Sequence, residues 1–183
     1  MREDLRQVLH LLIGLLIAAL IRFFDPAVMT PLLVVGLLGG MVVADAVSRG
    51  FHLPLISWIL VNAEREGAVP GQGTFFFVMS ALTCLVLFGS TTAATGVLVL
   101  AVLDSVTALV GMNFGRHRVY LKKTAEGTGA GIVVTAGILL FLLPPPLAVL
   151  ISVVAGLIEL YAPVDDNLLI PVGVCLLIFV LSL

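Results

Sequence analysis

The chain has 183 residues, of which 61% are hydrophobic and 11% charged, with a formal net charge of −2 and a mean hydropathy of +1.24. A soluble domain is nearer half apolar and a quarter charged, and so much apolar surface cannot hide inside one small core. These figures exclude an ordinary soluble enzyme, a disordered chain and a nucleic-acid binder; the two cysteines, Cys84 and Cys175, lie in apolar runs and make neither a disulfide scaffold nor a metal or CxxC redox motif.

A single membrane-embedded domain over residues 1–183 is therefore expected, an all-α polytopic bundle of about seven transmembrane helices. Crossing a bilayer core takes about 20 helical residues. The first predicted span is Val8–Phe24. Arg2 and Arg6 precede it as in a signal peptide, but no small-x-small cleavage site follows, so it is expected to stay. Arg6, His10 and Gly14 recur at i, i+4 and i+8 and share a face. An arginine aligned with a histidine suits phosphate; a histidine-mediated helix contact is the alternative.

The second span is Ala27–Val47, with Pro31 expected in its first turn. Asp45 and Arg49 have the i, i+4 spacing of a local pair. A polar loop follows, with Glu64-Arg65-Glu66 and then Gly73-Thr74. The third and fourth spans are Gly73–Gly89 and Thr91–Phe114, separated only by a Gly89-Ser90 turn. Asp104 lies near the middle of the fourth. A charge there costs a few kcal/mol and usually marks function. Asp104, Ala108, Gly111 and Gly115 line one small, polar face, which suits a ligand or metal, or a close helix contact with a buried aspartate bonded across it.

The next stretch, residues 115–129, carries Arg116, Arg118, Lys122 and Lys123, then Thr124, Glu126, Gly127 and Thr128 at the opening of the fifth span, Gly129–Leu143. Backbone N–H groups at a helix start attract anions, and glycines let a phosphate approach. A juxtamembrane basic cluster that sets topology or touches anionic lipid fits the same residues. Pro144-Pro145-Pro146 then breaks the chain before the sixth span, Leu147–Tyr161, which closes on Glu159. Asp165-Asp166-Asn167 opens the seventh, Leu168–Leu183, with Pro171 in its first turn. Two carboxylates plus Glu159 exceed what one helix cap requires. Such oxygen ligands suit Mg²⁺ held together with a nucleotide phosphate.

With seven spans, one side holds Arg2, Arg6, Arg49, Arg65, Arg116, Arg118, Lys122 and Lys123, and the other only Arg22. By the positive-inside rule the motif-bearing side faces the cytoplasm. A multi-pass integral membrane protein with a cytoplasm-facing site is expected. Cations for phosphates, carboxylates for a metal and a polar group near an acceptor hydroxyl are the parts of Mg²⁺-dependent phosphoryl transfer. With no external domain, the acceptor is expected to be a lipid.

These residues resemble a known family, the CTP-dependent lipid kinases that include dolichol (polyprenol) kinase, phytol kinase and a CTP-using diacylglycerol kinase. The similarity runs over nearly the whole chain. Arg6, His10 and Gly14 match an Arg-x-x-x-His-x-x-x-Gly opening. Glu64-Arg65-Glu66 and Gly73-Thr74-Phe75-Phe76 are similar to a loop and span start. Asp104, Ala108 (shifted by one from its commonest placement), Gly111 and Gly115 match an Asp-Ala-Gly-Gly helix motif. Lys123-Thr124-Ala125-Glu126-Gly127-Thr128 matches Lys-Ser/Thr-x-Glu-Gly-Ser/Thr. Glu159, Asp165-Asp166-Asn167 and Pro171 match a closing acidic element. The third and fourth elements together are the specific part. Leu103 departs from the family's glycine before the aspartate, and Gln7 from a basic residue after the first arginine.

The resemblance implies CTP as phosphate donor, Mg²⁺, and a membrane lipid alcohol as acceptor, of the dolichol or polyprenol type. Asp104, Lys123 and His10 are the expected catalytic residues. Arg6, Gly111, Gly115, Arg116, Lys122, Lys123, Thr124, Gly127 and Thr128 are expected at the nucleotide phosphates. Asp104, Glu126, Glu159, Asp165 and Asp166 are the metal candidates. A CTP-dependent phospholipid cytidylyltransferase and a small ion-coupled transporter using Asp104 are the competing readings.

Overall fold

The structure, a computed structural model, describes residues 3–51, 71–120 and 123–181. The Glu64-Arg65-Glu66 loop and Lys122 lie outside them. The described chain forms helices α1 (Glu3–Phe23), α2 (Pro26–Ser48) and α3 (Gln72–Phe114), strands β1 (Arg118–Tyr120) and β2 (Lys123–Thr124), and helices α4 (Ala125–Leu139), α5 (Pro145–Tyr161) and α6 (Asp166–Leu181). The expectation of an all-helical chain is met except for this two-stranded antiparallel ribbon.

Local chemistry sets the helix ends. The Asp25 side chain accepts from the Ala27 N–H at 2.8 Å, and Pro26 starts α2 where an N–H has no helical partner. Asp165 does the same for α6, accepting from the Asn167 N–H at 3.0 Å. Both helices thus begin earlier than the hydropathy pattern suggested. Pro31 and Pro171 consequently fall inside their helices rather than in the first turn. A proline cannot donate to the carbonyl four residues back, so Pro171 strands the Asn167 carbonyl. The buried Ser80 hydroxyl fills that gap, donating to Asn167 O at 2.8 Å.

α3 is 43 residues long but not straight. Gly89 breaks it with φ 78° and ψ 170°, a conformation open to glycine and strained for other residues. Contacts with α6 show that the chain reverses there. Ser80 meets Asn167 and Phe88 meets Phe179, so the limb before Gly89 runs parallel to α6. Beyond the break, the Thr92 carbonyl accepts from Cys175 and Gly96 abuts Pro171, the opposite order. α3 is a helical hairpin, and α6 lies along it.

α1 lies against the returning limb. Ser105 donates to the Gln7 carbonyl at 3.1 Å, and a Cβ on Gly14 would come within 2.5 Å of Ala101 Cβ. Gly14 is therefore the point of closest helix approach. The core gathers on the hairpin, where Val97, Val99, Leu100 and Leu103 are fully buried with Ile151, Ile170 and Val174. The exterior is apolar as well: Leu12, Leu16, Leu32, Val42, Val86 and Phe141 are all exposed. Water would not tolerate that surface; lipid would. Among the described residues, three helices are long and apolar enough to cross a membrane, Asp4–Phe23, Pro26–Ser48 and Gln72–Phe114.

Ser80→Ala is expected to destabilise the fold by about 1 kcal/mol, read by unfolding in mixed micelles. In a Pro171→Ala background the serine's contribution shrinks, because residue 171 then donates to Asn167 itself. Equal costs in both backgrounds would refute the pairing.

Candidate functional site

The sequence-flagged polar residues fall into three groups at one end of the bundle. The first lies between α1 and α3. His10 Nε2 stands 3.7 Å from Asp104 Oδ2, within ion-pair reach but longer than a direct hydrogen bond. Asp104 is 8% exposed. The Phe77 ring closes over His10 edge-on, with centroids 5.8 Å apart. Gly14 makes this meeting possible, because any side chain there would hold α1 away from Ala101.

The second group centres on Lys123. Its ammonium bonds to the Glu159 backbone carbonyl, reaches Glu159 Oε1 at 2.9 Å and lies 3.4 Å from Asp166 Oδ2. Thr128 donates to Glu159 Oε2 at 3.3 Å. Glu159 and Asp166 are 2% and 4% exposed. Four elements meet here: β2 brings the lysine, α4 the threonine, the end of α5 the glutamate and the start of α6 the aspartate. Asp166 in the first turn of α6 also faces the positive end of that helix.

The third group holds the ribbon. Glu126, in the first turn of α4, accepts from the backbone N–H of Arg116 at 3.1 Å and of His117 at 3.2 Å. The His117 ring nitrogen Nδ1 is 2.6 Å from its other oxygen. The hydrogen bond from the His117 ring is the main reason that its carboxyl falls from 4.5 to about 2, with backbone N–H groups adding to it.

A seam of small residues joins the groups. Thr124 caps α4 by accepting from the Gly127 N–H at 3.2 Å. On the other side, a Cβ on Gly115 would meet Thr124 and the Gly111 carbonyl, and one on Gly131 would meet the Thr107 hydroxyl. Gly111, Gly115, Gly127 and Gly131 thus let the end of α3 sit on the start of α4. Packing accounts for glycine at Gly111 and Gly115, the close helix contact that the sequence offers there beside a ligand role.

The structure brings Lys123, Thr128, Glu159 and Asp166 together. It puts Asp104 with His10, one helical turn before Thr107 on the seam. Asp165 is occupied in capping, bonded to the N–H and side-chain amide of Asn167. Glu126 is occupied in holding residues 116 and 117. Among the described residues, no three of His, Cys, Asp and Glu gather as a ligand set. Arg6 is half-buried one turn before His10, and the exposed Arg116 and Arg118 flank the ribbon's start. Asp45 and Arg49 form the expected local pair at 2.8 Å. Sequence reasoning missed the partners: His117, Phe77 and Ser105 carry no periodicity or motif linking them to Glu126, His10 or Gln7.

The chain is 29% identical over 182 residues to an uncharacterized protein of Methanocaldococcus jannaschii, an alignment covering 97% of this chain and 93% of that one. No family model matches the chain, and no solved structure does.

Two expectations follow from this geometry. A Cβ on Gly127 would sit 2.5 Å from the Thr107 carbonyl, whereas Gly129 has open space around it. Gly127→Ala should therefore cost about 1–3 kcal/mol and Gly129→Ala nothing, by unfolding in micelles. A carboxyl lowered on folding contributes stability that is full above 4.5 and lost as pH falls toward 2. The Glu126 carboxyl signal in ¹³C NMR should titrate near pH 2, and His117→Ala should return it toward 4.5; an unmoved titration would exclude the imidazole as its cause.

Proposed function

We propose that the protein phosphorylates the hydroxyl of a membrane lipid alcohol, of the polyprenol or dolichol type, using CTP and Mg²⁺. The observation that carries this reading is the convergence at Lys123. A lysine, a threonine and two carboxylates, scattered over more than forty residues of sequence, meet where three helix ends and a ribbon come together. An ammonium beside the start of α4 suits phosphate oxygens. Mg²⁺ usually takes one or two protein carboxylates and completes its shell with water and substrate phosphates. The Glu159 and Asp166 pair has the chemistry of that donor set, and it would hold the ion as the Lys123 ammonium turns from the carboxylates to the phosphates.

On this reading α1, α2, the two limbs of α3, and α4 to α6 make seven crossings. The Lys123 centre and the N-terminal end of α1 then share one side, and the excess of Lys and Arg on that side makes it cytoplasmic. Water-soluble CTP reaches Lys123 from there. The His10–Asp104 pair lies further into the apolar layer, where an isoprenoid alcohol resides. The bond from the acceptor oxygen to the γ-phosphorus forms as the β–γ bridge breaks, CDP leaves, and the hydroxyl proton passes to the His10–Asp104 pair. Lys123 and the exposed Arg116 offset charge on the phosphates. Bound Mg²⁺ supplies further neutralisation of that charge.

The test is transfer of label from γ-labelled CTP into lipid by the purified protein, given Mg²⁺ and a panel of lipid alcohols, with ATP as the comparison donor. Label should enter an organic-soluble product, and Asp104→Asn should lower turnover at least ~100-fold, the lower bound for losing a proton acceptor, while leaving the fold intact. Incorporation of cytidine label with no γ transfer would instead mean cytidylyl transfer. Ion flux in liposomes without nucleotide would mean transport.

A further inference from the structure

The Lys123 centre has an aromatic neighbour that neither its ion pairs nor the helix caps require. Tyr120 on β1 is the register partner of Lys123 on β2. Tyr161 is the last residue of α5, one short step past Glu159. Their ring centroids are 6.1 Å apart at an interplanar angle of 53°. The rings are 42% and 57% exposed, and neither hydroxyl has a hydrogen-bond partner among the described residues. Arg118 is exposed on the same strand and Arg116 two residues before it, and neither guanidinium is paired among the described residues.

A tilted pair leaves an outer aromatic face open. The pair's backbone neighbours are residues of the Lys123 centre, Lys123 across the ribbon and Glu159 two residues back along α5, and Arg116 and Arg118 precede Tyr120 in the same segment. A ligand matching all of these carries a flat, π-bearing ring at one end and several negative charges at the other. Resting on the phosphoryl-transfer reading above, we infer that Tyr120 and Tyr161 form the platform on which the base of the nucleoside triphosphate stacks while its phosphates meet the Lys123 centre. These two come from separate elements, meet each other and bracket a charged centre. Stacking tolerates any base, so the platform raises affinity for a nucleoside triphosphate over bare polyphosphate. The two phenol hydroxyls are the groups available to read the edge of the base.

The chain contains two tyrosines in all, so tyrosine signals report this place alone. The full chain, labelled with 3-fluorotyrosine in phosphatidylcholine nanodiscs, is titrated with CTP and with inorganic tripolyphosphate, each with Mg²⁺. CTP should shift both ¹⁹F resonances, and tripolyphosphate should bind with little shift. Tyr120→Leu and Tyr161→Leu should each weaken CTP binding roughly tenfold and leave tripolyphosphate binding unchanged, while Tyr→Phe at either position keeps most of the CTP affinity. Equal loss for both ligands, or resonances indifferent to bound CTP, would overturn the platform and leave phosphoryl transfer standing. Absence of CTP binding by the unmodified protein would overturn both. The labelled unmodified protein decides the matter even if a leucine variant fails to fold.

Discussion

The described end of the bundle is organised around one half-buried ammonium that meets two buried carboxylates. Lys123 is the cation among two carboxylates, and Glu159 and Asp166 come from helices that would otherwise bring like charges face to face. Removing one partner of a buried ion pair costs far more than the pair contributes, because the remaining charge is left uncompensated. The position of the lysine therefore dictates where α5 may end and α6 may begin. It also dictates the ribbon, since a two-residue strand such as β2 has too little pairing to hold itself. The Glu126 contacts to residues 116 and 117 anchor the ribbon from the other side.

Polar satisfaction recurs at each point where backbone geometry is broken. Pro171 leaves a carbonyl unpaired in an apolar core, and a serine from another helix answers it. Ser105 reaches a carbonyl on α1. Such hydrogen bonds are individually modest, yet a missing one in a water-poor interior costs more than a formed one contributes. They fix which helix faces meet in a chain where nearly every surface is apolar and hydrophobicity alone cannot choose.

Much of this was legible in the sequence, and the limits have physical causes. Length and hydropathy placed the helices, and the Gly89-Ser90 turn and the triple proline marked real breaks. The helices that carry Pro31 and Pro171 start at Pro26 and Asp166, slightly ahead of the apolar windows at Ala27 and Leu168, because Asp25 and Asp165 cap from outside those windows. The Lys123–Glu159–Asp166 grouping was visible only as separate motifs, since nothing in spacing says that β2 folds onto the ends of α5 and α6. Gly111 and Gly115 looked like ligand-approach glycines; the same absence of a side chain serves a helix seam, and sequence cannot separate the two. His117 carries no motif or spacing that ties it to Glu126, although its ring is the chief partner of that carboxylate.

The reversal at Gly89 bears on the order in which the chain comes together. The two limbs of α3 are neighbours in sequence, so their approach closes only a short loop and loses little entropy. The contacts of Gln7 with Ser105 and of Ser80 with Asn167 join residues 98 and 87 positions apart, and are slow to find unaided. A hairpin formed early offers both of its sides as a template, one to α1 and the other to α6. Loop-closure entropy therefore favours the middle of the chain as the first part to assemble, with α1 and α6 docking onto it afterwards.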